Sequence, residues 1–256
     1  MKEDSIPLIE LFIKCAPSNR EEKGASLIDH QWFMVFYALV QKGIVDLRVT
    51  PVSLDSPPLN YEQLDAARRL PAAWIESGSY NGKDLSGLVA STTDELETLM
   101  DMFQVPNLQS VRLSEEVRNA EKSFEDVYKN MMHYLLNSTE KPLLNALTNL
   151  DNYLRSKNHT YLTGEEVSYP DCLLMPKLQH LRVVLYSYFS WDIPSNFNAI
   201  WNYISLMYKT SAFINSCPAD RDILWHYNEK KKLPASLNLV AMQSDRLVLP
   251  HSRSRI

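Results

Sequence analysis

The first stretch of the chain alternates short apolar runs with one longer periodic run. Residues 8–14 (LIELFIK) lie between prolines and are mostly apolar, which predicts a β-strand. Within residues 27–42, apolar side chains recur at intervals of three and four, which is typical of a helix. Gly43 is the expected residue after its end. Alternating apolar positions over residues 46–54 predict a second strand.

Shorter elements follow. Residues 60–70 are polar with one apolar side and predict a short helix, and residues 71–75 predict a third strand. Asn81-Gly82, within residues 77–83, is the turn sequence of a tight β-hairpin.

A further helix is predicted over residues 94–104. It is entered through Thr92 and Glu95, which have the spacing of a capping box. The predicted order is therefore βαβ, then α, then ββα, which indicates a layered α/β unit with a right-handed crossover.

After residue 110 the pattern is helical throughout. Apolar residues three or four apart predict successive helices, and residues 171–189 are apolar on nearly all sides, as in a buried central helix. We therefore expect a first domain over residues 1–104, a linker over 105–110 and an all-helical domain over 111–232. Periodicity fades after that, so residues 233–256 are expected to form a flexible tail.

Composition narrows the class of protein. The 256 residues carry a net charge of −5, which argues against a general nucleic-acid binder. Six glycines against fourteen prolines disfavour glycine-rich phosphate loops. The three cysteines are far apart and the six histidines form no ligand pairs, so neither a disulfide framework nor a metal site is predicted. A reducing, cytoplasmic setting fits best, and the amino-terminal residues do not resemble a signal peptide.

Several local strings point to a known family. They are ELFIK at 10–14, LP at 70–71, LDNYL at 150–154, SYPDCLLMPKL at 168–178 and FINSCPAD at 213–220. Together with the predicted element order, they resemble the chloride intracellular channel family, which is itself similar to omega-class glutathione transferases. The resemblance extends from about residue 9 to residue 227. It implies a thioredoxin-like α/β domain followed by an all-α domain, the glutathione transferase fold.

The resemblance also locates a redox position. Family members with oxidoreductase activity carry a cysteine at the start of the first helix, where backbone amides lower the thiol pKa. Here Ser26 occupies that position, and Asp29 stands where a resolving cysteine would lie. Serine cannot form a mixed disulfide, so no catalytic residue is predicted. The simpler interpretation is that Ser26 is a helix N-cap and Asp29 an acid of the first turn.

A remnant of a glutathione pocket is expected at Leu70, Pro71, Thr92 and Thr93. Leu70-Pro71 matches the family's cis-proline, which exposes a backbone amide to glutathione. The residues before Thr93 lack the acid that relatives place at the γ-glutamyl site, so helix capping is the competing role. No cofactor is required, and glutathione is the one candidate.

Ser168 and Asp171 have the spacing of an N-capping box at the start of the central helix. Transferase-like proteins share this box, and its expected role is in folding.

The resemblance implies that a segment near residues 27–49 inserts into membranes. Its uncharged part is a run of nine apolar residues, far fewer than the roughly 20 that span a bilayer. The run comprises Trp32, Phe33, Met34, Val35, Phe36, Tyr37, Ala38, Leu39 and Val40. The same pattern fits a helix that is simply buried in the core, so both interpretations stand at this point.

By resemblance, the expected function is reversible association with membrane lipid, with chloride conductance or membrane remodelling. A glutathione-dependent enzyme and a catalytically silent scaffold are the alternatives. The expected location is cytoplasmic and membrane-associated. Ser254-Arg255-Ile256 has the form of a carboxy-terminal PDZ ligand, which makes a PDZ domain a candidate protein partner. No nucleic-acid partner is expected.

Overall fold

A computed structural model describes residues 5–64, 66–110 and 114–231, with side chains through Asn228 in the last helix. The described residues form two compact units, divided after Ser110. The predicted flexible tail and the carboxy-terminal PDZ-ligand sequence lie outside the described residues.

The first unit is built on a four-stranded mixed sheet with the order β2-β1-β3-β6. Strand β1 (Leu8–Lys14) pairs in parallel with β2 (Asp46–Val52) and antiparallel with β3 (Ala72–Ser77). Strand β6 (Val89–Ala90) pairs antiparallel with β3 and forms one edge of the sheet. The three predicted strands are therefore confirmed to within a few residues at their ends.

Two longer helices accompany this sheet. Helix α1 (Leu27–Gln41) ends one residue before the predicted end, and Gly43 adopts the left-handed conformation expected beyond a helix end, with φ of 68°. Helix α3 (Thr93–Met102) begins at the predicted capping box. Pro106–Leu108 then forms a short 3₁₀ turn within the predicted linker.

The predicted length of the helix over residues 60–70 is wrong. Among the residues of this segment that the structure describes, only those of α2 (Leu59–Glu62) are helical, and Ala67 and Arg68 adopt left-handed backbone angles with φ of 48° and 56°. Tyr61 packs against Phe12 of the sheet, and its hydroxyl donates to the carbonyl of Arg69 at 2.7 Å. The segment thus folds back over the sheet, because its apolar residues bury there and not along one helical stripe.

The predicted hairpin is present as two strands, β4 (Ser79–Tyr80) and β5 (Lys83–Asp84). Asn81 and Gly82 connect them with φ of 52° and 73°, the two positive angles that a type I′ turn requires.

The second unit is helical in its described part. Its elements are α4 (Glu115–Asn137), α5 (Lys141–Ser156), α6 (Tyr169–Phe189), α7 (Asn198–Met207), α8 (Ser211–Ser216) and α9 (Asp220–Lys231). The pattern missed α8, because six residues are too short to show a helical period. Thr210, whose side chain accepts from the Phe213 amide, starts this helix.

Helix α6 is the core of the second unit. Cys172, Leu174, Leu178 and Leu181 are each completely buried along its length, which confirms the prediction of a central helix. Four polar or charged residues of α6, Asp171, Gln179, His180 and Arg182, are buried as well, and each needs a partner inside the protein.

Candidate functional site at the start of the first long helix

Several of the predicted site residues meet at one end of the sheet. In the antiparallel register of β1 and β3, Phe12 lies opposite Ala72, so the end of β1 is beside Pro71. In the register of β3 and β6, Ala73 lies opposite Ala90, so Thr92 follows at the same end. The Lys14 amide at the end of β1 contacts Asp29 in the first turn of α1. The fold thus gathers residues that are far apart in sequence.

Ser26 holds the N-cap position of α1 with an extended backbone, but its hydroxyl accepts no hydrogen bond from the amides of the first turn. Its side chain instead hydrogen-bonds to the Asp29 carboxyl group. Ser26 is therefore the N-cap residue of α1 by position, but its hydroxyl does not make the hydrogen bond to a first-turn amide that an N-cap serine usually makes.

Asp29 is buried, with an exposed fraction of 2%. Its Oδ2 accepts from the backbone N–H of Lys14 at 2.8 Å, which ties the first turn of α1 to the end of β1. Burial raises the pKa of the Asp29 carboxyl to about 6, against the lowering effect of the Lys14 and Ser26 hydrogen bonds. Near neutral pH it is mostly a buried carboxylate, which would oppose a thiolate at position 26.

His30 follows directly and is also 2% exposed. Burial lowers the pKa of its imidazole to about 3, and the positive charge of Lys23 lowers it further. The imidazole is therefore neutral at any physiological pH. The periodicity of the sequence did not reveal this buried histidine, because a polar residue in the first turn of a helix usually faces solvent.

The apolar run is the most deeply buried part of α1. Trp32, Met34, Val35, Phe36 and Leu39 have no exposed surface at all. Phe33 and Ala38 are also buried, whereas Tyr37 and Val40 are half-buried. Across the described ranges, the helices lack the combined length and apolar character needed to cross a membrane.

The candidate glutathione pocket begins at Leu70-Pro71, which is a cis peptide bond. Pro71 is buried and Leu70 is half-buried at the start of β3. The other two residues lie at the start of α3, where Thr92 is half-buried and Thr93 is exposed.

The start of α3 is already occupied by a side chain of this chain. Glu95 Oε2 accepts from the amide of Ser91 at 2.8 Å and from that of Thr92 at 3.0 Å. Thr92 Oγ1 accepts from the Glu95 amide in return, which completes the capping box. These bonds hold the pKa of the Glu95 carboxyl below its usual value.

Glu95 engages two backbone amides at the start of α3 in a self-contained capping box. Ser26 offers no sulfur for exchange with a glutathione thiol. Glutathione binding at Leu70, Pro71, Thr92 and Thr93 stays a prediction.

Ser168 and Asp171 form the corresponding arrangement in the second unit. The Asp171 carboxylate accepts from the Ser168 amide at 2.8 Å and from the Ser168 hydroxyl, in the reciprocal pairing of a capping box. It also accepts from the Leu162 amide at 3.1 Å and from the Tyr203 hydroxyl at 2.9 Å. Burial raises the pKa of this carboxyl to about 6 as well.

Sequence reasoning missed other buried polar residues. Glu10 on β1 accepts from Thr50 Oγ1 at 2.6 Å and from Asn60 Nδ2 at 2.9 Å, which ties α2 to the sheet. Asp151 on α5 accepts from the amides of Ala199 and Ile200 at the start of α7. Both lie in the family strings, but the partners named here are about 40 or more residues away, so no local pattern indicates these contacts.

The described residues contain no group of three or more side chains able to hold a metal ion. The thiols of Cys15 and Cys172 are buried, and that of Cys217 is half-buried.

Comparisons with known proteins bear on the whole chain. A scan against models of protein families gives no match. The chain is 32% identical to Chloride intracellular channel exc-4 of Caenorhabditis elegans, over 90% of this chain and 82% of that relative. It is 30% identical to Chloride intracellular channel Clic of Drosophila melanogaster, over 89% and 84% of the two chains.

Solved structures agree. The chloride intracellular channel homologue EXC-4 from C. elegans superposes with a TM-score of 0.80 at 29% identity, covering 97% of this chain and 96% of that one. A dehydroascorbate reductase from Chlamydomonas reinhardtii gives 0.63 at 16% identity, over 86% and 97%, and shows the shared fold alone. The predicted fold class is confirmed, and the chain belongs to the chloride intracellular channel family.

Proposed function

We propose that this protein associates reversibly with membrane lipid and, in that form, supports chloride conductance or membrane remodelling. The observation that carries the proposal is the family relationship, which covers the apolar run of α1 together with both units. Cytoplasmic and membrane-associated locations follow from the same proposal.

Helix α1 alone is too short to cross a bilayer. Its fifteen residues are about 22 Å long at 1.5 Å per residue, whereas the hydrocarbon core is about 30 Å thick. An inserted helix would have to continue through Gly43 into β2, as the family segment near residues 27–49 does. Insertion therefore requires β2 to leave its parallel ladder with β1, which joins Leu8–Lys14 to Asp46–Val52.

The charged residues of the segment limit which part of it can lie at the membrane centre. The segment contains Asp29, Lys42, Asp46 and Arg48 outside the apolar run, and each charge at the bilayer centre costs about 3 kcal/mol. Arg48 also binds Glu76 at 2.8 Å in the folded sheet. The run of residues 32–40 would occupy the membrane centre, because these charged residues flank it on both sides.

Acid affects this region in two opposite ways. The pKa of Asp29 is about 6 in the fold and 3.8 in an open chain, so lowering the pH stabilises the buried state of Asp29. The pKa of His30 is about 3 in the fold and 6.5 in an open chain, so lowering the pH destabilises the buried state of His30. We therefore assign acid release of α1 to His30, with Asp29 opposing it.

The test is flotation of the protein with anionic vesicles at neutral and mildly acidic pH. Trp32 fluorescence, with the other four tryptophans changed to Phe, reports whether the run reaches lipid. Tyr37→Lys places a charge within the run at a half-buried position, and Gln41→Lys places the same charge one turn later at an exposed position.

We expect Tyr37→Lys to abolish lipid quenching of Trp32 and Gln41→Lys to retain it. Flotation with Trp32 unquenched by lipid-borne quenchers would contradict insertion at α1. Absence of flotation at both pH values would contradict membrane association altogether and favour the scaffold alternative.

A further inference from the structure

A groove of about 260 Å³ lies between the edge strand β6 and helix α3. Leu88, Val89, Leu99 and Met102 line its apolar part, and Asp94 and Thr98 lie at its polar side. Leu88 is 36% exposed.

The groove adjoins an open sheet edge. Trp74 lies opposite Val89, and the Ile75 amide donates to the Leu88 carbonyl at 2.9 Å. In an antiparallel ladder this places Trp74 and Val89 at a non-hydrogen-bonded pair, so the N–H and C=O of Val89 point away from β3. Within the described residues no strand pairs with the outer side of β6.

Helix α3 beside the groove is acidic. Helix α3 carries Asp94, Glu95, Glu97 and Asp101, and residues 91–102 include no lysine, arginine or histidine. Glu95 caps the helix start, and Asp94 is exposed and lines the groove. A ligand that fits here must combine apolar side chains with positive charge.

We infer that this groove binds an extended segment of a partner protein in which apolar residues alternate with basic ones. The partner backbone pairs with the N–H and C=O of Val89 and so extends the sheet by one strand. One of its apolar side chains enters the pocket between Leu88 and Met102, and a lysine or arginine lies near Asp94. An anionic lipid surface fits less well, because the acidic helix would repel it.

Selection of random peptides from a display library on the full chain tests this inference. We expect enrichment of peptides such as Leu-Lys-Val-Lys-Leu-Lys. Binding of that labelled peptide should weaken at high salt and fall about tenfold when the amide that pairs with Val89 is N-methylated.

Thr98→Arg provides the decisive variant, because it adds bulk and positive charge at the groove. Thr148→Arg is the matched control. Both threonines are exposed and each donates to the carbonyl four residues earlier, at 2.7 and 2.8 Å. We expect Thr98→Arg to weaken peptide binding about tenfold or more and Thr148→Arg to leave it unchanged.

Asp94→Lys keeps the groove apolar and reverses its nearest exposed charge, so it should shift preference to peptides flanked by glutamate. Failure to enrich alternating apolar and basic peptides would overturn the inference, as would equal binding by Thr98→Arg. Self-association of the wild-type chain that Thr98→Arg abolishes would assign the face to a second copy of this chain. If the wild-type chain binds no peptide and Thr98→Arg loses flotation with vesicles, the face would be assigned to lipid. Both results would also overturn the inference.

Discussion

The two most deeply buried long helices, α1 and α6, begin with the same local pattern, a serine followed by an aspartate three residues later. In α6 the Asp171 carboxylate is bound by Ser168 and additionally by Leu162 and Tyr203. In α1 the Asp29 carboxylate accepts from the Lys14 amide of a strand and from Ser26. The same sequence signal therefore produces a closed capping box in one helix and a link from helix to sheet in the other.

This difference bears on which helix can leave the fold. Removing α6 from its place would break a network that joins two helices and the preceding loop. Releasing the start of α1 breaks the hydrogen bond from the Lys14 amide to the Asp29 carboxylate, and the adjacent His30 favours release in acid. We expect the α1 end to open before the α6 end does.

The largest effect that this comparison predicts comes from Asp171→Ala. Two donors outside the cap, the Leu162 amide and the Tyr203 hydroxyl, lose their acceptor, so we expect a loss of about 3–5 kcal/mol in the free energy of unfolding. Urea unfolding at neutral pH measures it. Thr210→Ala, which removes a simple cap on α8, should cost about 1 kcal/mol. Equal losses in the two variants would contradict a special role for Asp171.

The second prediction concerns His30. As the pH falls from 7 to 5, the free energy of unfolding should decrease by about 2 kcal/mol, because the imidazole of His30 takes up a proton in the open chain and stays neutral in the fold. His30→Leu should remove that decrease, so the variant becomes more stable than the wild type as the pH falls. Unfolding free energies measured at both pH values check this. A constant difference between the two proteins across this range would mean that His30 is not buried neutral.

Asp29→Asn should act in the opposite direction and by less. In the wild type, proton uptake by Asp29 adds about 1 kcal/mol of stability between pH 7 and pH 5, and the variant loses this gain. The variant should therefore become relatively less stable in acid, whereas His30→Leu becomes relatively more stable. The double variant isolates the coupling between the two groups. Parallel pH profiles for the two single variants would remove the assignment of acid release to His30.

The smallest predicted difference compares the two serines. Ser168→Ala should cost about 1–2 kcal/mol, since its hydroxyl belongs to a fully buried box. Ser26→Ala should cost about 0.5 kcal/mol, because its hydroxyl caps no amide and Ser26 itself is only half-buried. Thermal or urea unfolding distinguishes these values. A larger loss at Ser26 would show that its bond to Asp29 matters more than the fold suggests.

Local pattern was sufficient for elements whose partners lie nearby in the chain. The Asn81-Gly82 turn, the Thr92 and Glu95 box and the central helix are each governed by residues within a few positions. The prediction of a helix over residues 60–70 was wrong because contacts outside any helical pattern decide the path of this segment. Tyr61 is held by Phe12 and by the carbonyl of Arg69, and this burial outweighs the weak helical preference of a polar segment.

The sequence by itself determined the fold class, the family and the serine at the redox position, because these depend on residue identity and on periodicity along the chain. Only the tertiary structure decided that the Lys14 amide binds Asp29, that His30 is buried and neutral, and that Glu95 occupies the amides at the start of α3. It also decided that Val89 faces an open edge. Each of these depends on which groups meet after strands and helices pack, and burial, not residue type, then sets their charge and their partners.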